Sequence, residues 1–134
     1  MRRALPELRS AVMEPAEDLL RRLALNDEKV LGMVLTRRVG DDGGVDLTPK
    51  TELLVSLGGL LAVGATTPSL REAVDRAIAA GATPKELVGV LVAVGPAIGL
   101  AGVVASAPRL AVALGYDLEN GHTAAVGDES VPEV

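Results

Sequence analysis

The sequence contains no cysteine, tryptophan or phenylalanine, and its aromatic content is a single tyrosine, Tyr116. Without cysteine the chain has no disulfides, no thiol redox chemistry and no thiolate metal ligands. The scarcity of aromatic residues removes the platforms on which bases and sugars stack. The core must therefore be built from Leu, Val, Ile and Ala, which need close helix packing and often a neighbouring chain to bury enough area.

Basic residues are also in the minority: the sequence has 13 Lys and Arg and 18 Asp and Glu, which gives a net charge of −5. This balance argues against a nucleic-acid partner, because phosphates demand a basic face. The one histidine, His122, lies in a polar C-terminal segment, and too few metal ligands cluster for a metal site. No phosphate-binding glycine motif is present either, so we expect no cofactor.

Charged residues interrupt the first 18 residues before any apolar run of signal-peptide length, which predicts no secretion signal. The apolar runs also lack flanking Trp and Tyr anchors and a Lys/Arg bias in the loops between them. We therefore expect a cytoplasmic protein with no membrane partner.

Capping residues and apolar periodicity predict an all-α fold of five or six helices, because no segment has a convincing strand pattern. The first predicted helix runs from Pro15 to Leu25, and the second follows the cap Asn26-Asp27 and ends near Arg38. The third starts at Thr48-Pro49 and ends near Val63. The fourth, Ser69 to Ala80, follows Thr67-Pro68, and a long fifth helix starts at Thr83-Pro84. Gly81 ends the fourth. The chain is expected to comprise an N-terminal arm with two helices (1–46), a helical core (47–116) and a disordered acidic tail (117–134).

The stretch from Thr83 to Gly115 is the centre of this organisation. Thr83, Pro84 and Glu86 form a helix-start pattern in which the threonine caps and the glutamate reaches back to the cap amide. The run from Leu87 to Ala107 carries no charge and is rich in Gly, Ala and Val. We expect a helix buried on all sides, by this chain or by another subunit, and interrupted near Gly95-Pro96.

The segment from Leu47 to Leu114 resembles the carboxymuconolactone decarboxylase family, which includes the alkyl hydroperoxidase D-like proteins. The resemblance rests on Leu47-Thr48-Pro49-Lys50-Thr51, on the block from Val74 to Val88 and on Gly99-Leu100-Ala101. It implies an all-α bundle that assembles as a homo-oligomer, with a trimer or hexamer expected.

The reactive residues of that family are missing. Its redox branch has a Cys-x-x-Cys pair and a following His, and these positions fall on Thr66, Ser69 and Ala73. Its decarboxylase branch also has a His where Ala73 stands. Thr, Ser and Ala supply neither a thiolate nor an imidazole, so we do not expect thiol peroxidase activity.

Two groups of residues are candidates for a site. In the first, Arg71 could hold a substrate carboxylate while Glu72 or Asp75 acts as a base, although the spacing of Arg71 with Asp75 and of Glu72 with Arg76 also fits solvated ion pairs on a helix. In the second, Thr66, Thr67 and Ser69 could bind substrate at a helix N-terminus or simply cap the helix.

Two hypotheses follow. The first is a protein that binds or transforms a small hydrophobic molecule in a pocket lined by Val, Leu and Ala; as an enzyme it would be a cofactor-free lyase or isomerase. The second is a catalytically inactive oligomeric scaffold that keeps the fold without the active residues.

Overall fold

The computed structural model describes residues 14–41 and 46–119, and in this part of the chain all regular structure is helical, as predicted. The chain divides into two compact units, with the boundary in the sequence between Leu47 and Thr48. The described residues form five helices: α1 (Pro15–Ala24), α2 (Glu28–Thr36), α3 (Pro49–Ala62), α4 (Thr67–Ala79) and α5 (Pro84–Ala113). The expected N-terminal arm, most of the Gly-rich loop after Gly40 and nearly all of the expected tail, with His122, lie outside the described residues.

The N-terminal unit contains α1 and α2, which pack against each other. Asp27 caps α2 as predicted: its Oδ1 accepts hydrogen bonds from the amides of Lys29 (3.1 Å) and Val30 (3.3 Å). Arg22 Nε donates to Asp27 Oδ2 at 3.1 Å. This guanidinium, followed by the Val30 amide, lowers the pKa of the Asp27 carboxyl. The aspartate therefore joins the end of α1 to the start of α2.

In the second unit, helices start at threonines whose hydroxyls accept an amide hydrogen bond. Thr83 and Glu86 form the predicted capping box: the Glu86 amide donates to Thr83 Oγ1 at 3.1 Å and the Thr83 amide donates to Glu86 Oε1 at 3.0 Å. The predicted start of α4 at Ser69 was wrong: the helix begins at Thr67, because Thr66 and not Thr67 is the cap. With Thr66 as cap, Pro68 still lies in the first turn, where a missing amide proton costs nothing.

Helices α3, α4 and α5 pack against one another and enclose the core. Its largest fully buried side chains are Leu57, Leu61, Leu70, Val74, Leu87 and Leu110. The predicted apolar face of α4 is confirmed at Leu70, Val74 and Ala77, but Ile78 is 46% exposed. Since Ile78 directly follows Ala77, it is rotated by about 100° away from the line of closest packing.

Helix α5 turns back on itself at Gly99, three residues after the predicted interruption at Gly95-Pro96. Gly99 has φ 79° and ψ 173°, a conformation that is essentially restricted to glycine. A Cβ atom on Gly95 would lie 3.5 Å from Val103 Cγ2, whereas residues eight apart in a straight helix are separated by about 12 Å. The helix is therefore an antiparallel pair, here called the first arm (residues 84–98) and the second arm (residues 100–113).

The expectation that α5 is buried on all sides was wrong for the single chain. The helix is long and apolar enough in total to cross a membrane, yet only 11% of its most apolar 18-residue stretch is buried. Helices α3 and α4 cover one side of the two arms and leave the other side open. Two helices are too few to enclose a pair of helices on all sides. Each arm has about 15 residues, or roughly 22 Å at 1.5 Å per residue, which is shorter than the ~30 Å hydrocarbon core of a bilayer.

Candidate functional site

An apolar groove of about 550 Å³ lies between α3 and the first arm of α5. Five of its lining residues follow α3 at the spacing of one helix face, which makes a trough about 12 Å long. The first arm supplies the opposite wall. The lining residues are Thr51, Leu54, Val55, Gly58 and Gly59 from α3, and Val90, Ala93 and Val94 from α5.

Gly58 is buried and forms the floor of this groove, where α3 passes close to the first arm. A Cβ atom at Gly58 would lie 3.2 Å from Val94 Cγ1 and 3.4 Å from Val90 Cγ1, so any side chain here would press on the first arm. A Cβ atom at the neighbouring Gly59 would meet no atom within 4 Å. Gly58 thus serves helix packing, while Gly59 leaves space in the groove.

One end of the groove is tied by an ion pair between the two helix starts. Lys50 Nζ lies 3.1 Å from Glu86 Oε2. The pKa of the Glu86 carboxyl is lowered, mainly by the hydrogen bond from the Thr83 amide and then by Lys50. Glu86 therefore combines the cap of α5 with the tie to α3.

Among the described residues that line this groove, Thr51 has the one polar side chain and none is charged. The Thr48 hydroxyl donates to the Thr51 hydroxyl at 2.9 Å. No acceptor for the Thr51 proton is found among residues 14–41 and 46–119, so this hydroxyl can donate to a ligand. A ligand that fits this lining is neutral and mostly apolar, because a charged group would lose its hydration without a partner.

A second, smaller groove of about 240 Å³ lies between α3 and α4 and is half polar. Glu72 and Arg76 line it together with Ser56, Ser69, Leu53, Leu60 and Ala73. Both charged side chains are on exposed residues of α4, so water competes with any ion that binds them.

The predicted charged candidates do not converge on this groove. Glu72 lines it, whereas Arg71 and Asp75 are exposed on α4 and are not part of its wall. All four residues are described, and no ion pair joins Arg71 to Asp75 or Glu72 to Arg76, contrary to the prediction. The reason is that exposed i,i+4 pairs gain too little in water to hold one geometry.

The threonine and serine candidates are engaged in helix capping. Thr66 Oγ1 accepts from the Ser69 amide at 3.5 Å and donates to Ser69 Oγ at 3.2 Å. Thr67 occupies the first helical position. Ser69 also lines the half-polar groove.

Sequence reasoning missed the residues of the apolar groove, although it predicted a pocket lined by Val, Leu and Ala. A signal was present: Thr51, Leu54, Val55, Gly58 and Gly59 share one face of α3 with no charge among them. Within the described ranges, no three His, Asp or Glu side chains come close enough to hold a metal ion.

No family profile, curated protein or solved structure matches this chain.

Proposed function

We propose that this protein binds a small, neutral, mainly apolar molecule in the groove between α3 and the first arm of α5, as a homo-oligomer in the cytoplasm. The observation that carries the proposal is the uncharged lining of described residues, which consists of apolar side chains, two glycines and the hydroxyl of Thr51 at one end. Ligand sites are typically apolar concavities of about 300 to 1,000 Å³ with few placed polar groups, and the volume of about 550 Å³ falls in that range.

The position of Thr51 narrows the ligand class. A hydroxyl at one end of an apolar trough suits an elongated molecule with one acceptor at its end, such as a long-chain ketone, aldehyde or ester. Such a ligand would bury its chain against Leu54, Val55, Val90 and Val94, while its carbonyl oxygen accepts from Thr51.

The family relationship is part of this proposal and rests on the sequence pattern. We propose a carboxymuconolactone decarboxylase-like bundle without redox cysteines, which forms a trimer, a hexamer or a related ring. The all-helical fold and the Thr48 and Thr83 caps are consistent with it. The exposed side of α5 supports an oligomer, since apolar patches of this kind mark interaction surfaces.

Filling the groove tests the binding site. Gly59→Leu places a side chain in open space within the groove, and Gly32→Leu places the same side chain on exposed α2, where a Cβ atom also meets nothing within 4 Å. We expect Gly59→Leu to weaken binding of 2-undecanone, measured by displacement of the neutral dye Nile red, by at least tenfold. Gly32→Leu should bind like the wild type. Equal affinities in both variants would remove the groove as the site.

A scaffold without catalytic activity is the second candidate, and the separation of the charged residues favours it over a lyase or isomerase. Arg71 and Asp75 stand apart from the groove that Glu72 lines with Arg76, so the predicted set of one arginine and two carboxylates does not come together there. The comparison of Arg71→Ala and Glu72→Ala with the wild type tests this view. We expect both variants to keep the ligand affinity of the wild type. Weaker binding in either variant would instead support a site on α4.

A further inference from the structure

The apolar groove has a direction, because α3 and the first arm of α5 run parallel. Lys50 and Glu86 join the two helix starts, with Nζ and Oε2 3.1 Å apart. Further along both helices, Gly58 of α3 faces Val94 of the first arm, where a Cβ atom on the glycine would lie 3.2 Å from Val94 Cγ1. The groove therefore begins at the two helix starts and extends towards the turn at Gly99.

The polar end of the groove lies at the helix starts. Thr51 is in the first turn of α3, and the rest of the described lining is apolar. The amide groups in the first turns of two parallel helices add partial positive charge at this same end. A carbonyl oxygen, which carries partial negative charge, is therefore favoured beside Thr51. The hydrocarbon part of such a ligand then points towards Gly59.

The groove also has a definite length. Its described lining on α3 runs from Thr51 to Gly59, which is about 12 Å at 1.5 Å per residue. The next residues on the two lining faces are Ala62, where α3 ends, and Ala97 of the first arm. Both are exposed and neither belongs to the described lining. A chain that continues past Gly59 therefore leaves the groove and enters solvent.

We infer that the groove selects neutral carbonyl compounds by chain length, and that it accommodates about nine carbons beyond the carbonyl group. An extended hydrocarbon chain with C–C bonds of about 1.5 Å advances about 1.3 Å per carbon, so nine carbons cover the distance from Thr51 to Gly59. This inference rests on the proposed binding function and adds to it a limit on the size of the ligand.

The length limit predicts a characteristic dependence of affinity on chain length. Complete burial of one methylene group raises affinity about fourfold. The groove is open along one side, where Thr51, Val55, Gly59 and Ala93 are exposed, so each carbon buries only part of its surface and should add roughly a factor of two. Carbons beyond the ninth contact neither wall and should add little.

A series of ketones tests this dependence on the full chain. The ketones 2-heptanone, 2-nonanone, 2-undecanone and 2-tridecanone have alkyl chains of five, seven, nine and eleven carbons beside the carbonyl group. Titration of each ketone, followed by the chemical shift of the Thr51 methyl group, gives its dissociation constant. We expect the dissociation constant to fall about fourfold at each step up to 2-undecanone, and less than twofold from 2-undecanone to 2-tridecanone. A further fourfold fall for 2-tridecanone would overturn the length limit.

Gly59→Leu should shorten the groove from its far end, because a Cβ atom on Gly59 meets no atom within 4 Å and the leucine can enter the open space. If it displaces the last three to four carbons of the chain, affinity for 2-undecanone falls about tenfold, at roughly a factor of two per carbon. The shorter 2-heptanone should bind as it does to the wild type. Gly32→Leu, on exposed α2, should keep the wild-type dissociation constants for the whole series. Equal weakening of 2-heptanone and 2-undecanone by Gly59→Leu would overturn the inferred direction of the chain.

The outcomes separate the length limit from the binding function. Saturable binding with equal gains per carbon through 2-tridecanone overturns the length limit and leaves the binding function standing. Absence of saturable binding for every ketone removes the binding function, and the length limit with it. The wild-type series decides the question by itself if Gly59→Leu does not fold, because that series needs no variant.

Discussion

Gly58 of α3 lies directly against Val94 of α5, with room for a Cβ atom only 3.2 Å from the valine Cγ1 atom. The adjacent Gly59 makes no such contact. Substitutions at Gly58 therefore test helix packing, and substitutions at Gly59 test the space in the groove. Gly59→Ala should stabilise the protein by about 1 kcal/mol, since alanine has the higher helix propensity. Gly58→Ala should gain less or lose stability, because Val94 must shift.

Urea denaturation of the two variants, at a protein concentration where the wild type is dissociated, measures the difference. The wild-type backbone is helical at both positions, so the gain in helix propensity is the same in the two variants. The difference between their free energies of unfolding therefore measures the contact with the first arm. Equal gains at Gly58 and Gly59 would mean that α3 and α5 are farther apart than the structure has them.

Gly99 is expected to be the least replaceable residue of α5. Its φ of 79° and ψ of 173° place it in a region that other residues enter at a cost of about 1–3 kcal/mol. Gly99→Ala should therefore destabilise the protein by that amount in urea denaturation. Gly89→Ala, on the first arm with no atom within 4 Å of a Cβ, is the control and should be neutral or stabilising. An unaffected Gly99→Ala variant would indicate a straight α5.

Stability should fall in acid partly through Glu86. The Thr83 amide and Lys50 lower the pKa of this carboxyl in the folded protein. The contribution of Glu86 is thus complete above the unfolded pKa, about 4.3 for glutamate, and is lost as the pH falls through the lower folded value. In Glu86→Gln this loss disappears, so the free energy of unfolding should decline less between pH 5 and pH 3.

Urea unfolding at a series of pH values measures the effect, with Glu72→Gln as the control. Glu72 has no hydrogen bond or ion pair in the described part of the chain. The Glu72→Gln profile should run parallel to that of the wild type. Parallel profiles for both variants would show that the capping box and the Lys50 pair add nothing that depends on pH.

The Thr51 hydroxyl should distinguish ligands with a carbonyl from those without one. Thr51→Val keeps the shape of the side chain and removes the hydrogen bond to the ligand, which is worth about 0.5–1.5 kcal/mol. The Thr48 hydroxyl also loses its acceptor, but it is exposed and can donate to water instead. Affinity for 2-undecanone should fall about two- to tenfold, while affinity for undecane stays the same. Equal losses for both ligands would point to a general disturbance of the groove.

The sequence predicted those features that depend on neighbouring residues. The caps at Asp27, Thr48 and Thr83 were expected from hydroxyl or carboxyl side chains beside a first turn, and the structure confirms them. Thr66 and Thr67 show the limit of such reasoning, because both can cap and only the register of the helix selects Thr66.

Features that depend on distant contacts were not predictable in this way. The run from Leu87 to Ala107 holds four glycines, and any of them could have marked the interruption. Gly99 was selected by the packing of one arm on the other. The apolar groove likewise requires α3 and the first arm to cross at Gly58, a long-range contact that has no local signature. The charged residues of α4 attracted the functional prediction because charge is visible in a sequence, whereas an uncharged trough is not.

Methyl-resolved NMR with 2-undecanone is the most direct test of the central claim that the apolar groove is the binding site. With labelled Leu, Val and Thr methyl groups, we predict saturable shifts at Thr51, Leu54, Val55, Val90 and Val94, and little change at Leu70 or Val74 in the core. Shifts that centre on Leu53 and Leu60, in the wall of the half-polar groove, or methyl spectra that do not respond to the ketone, would contradict the proposal.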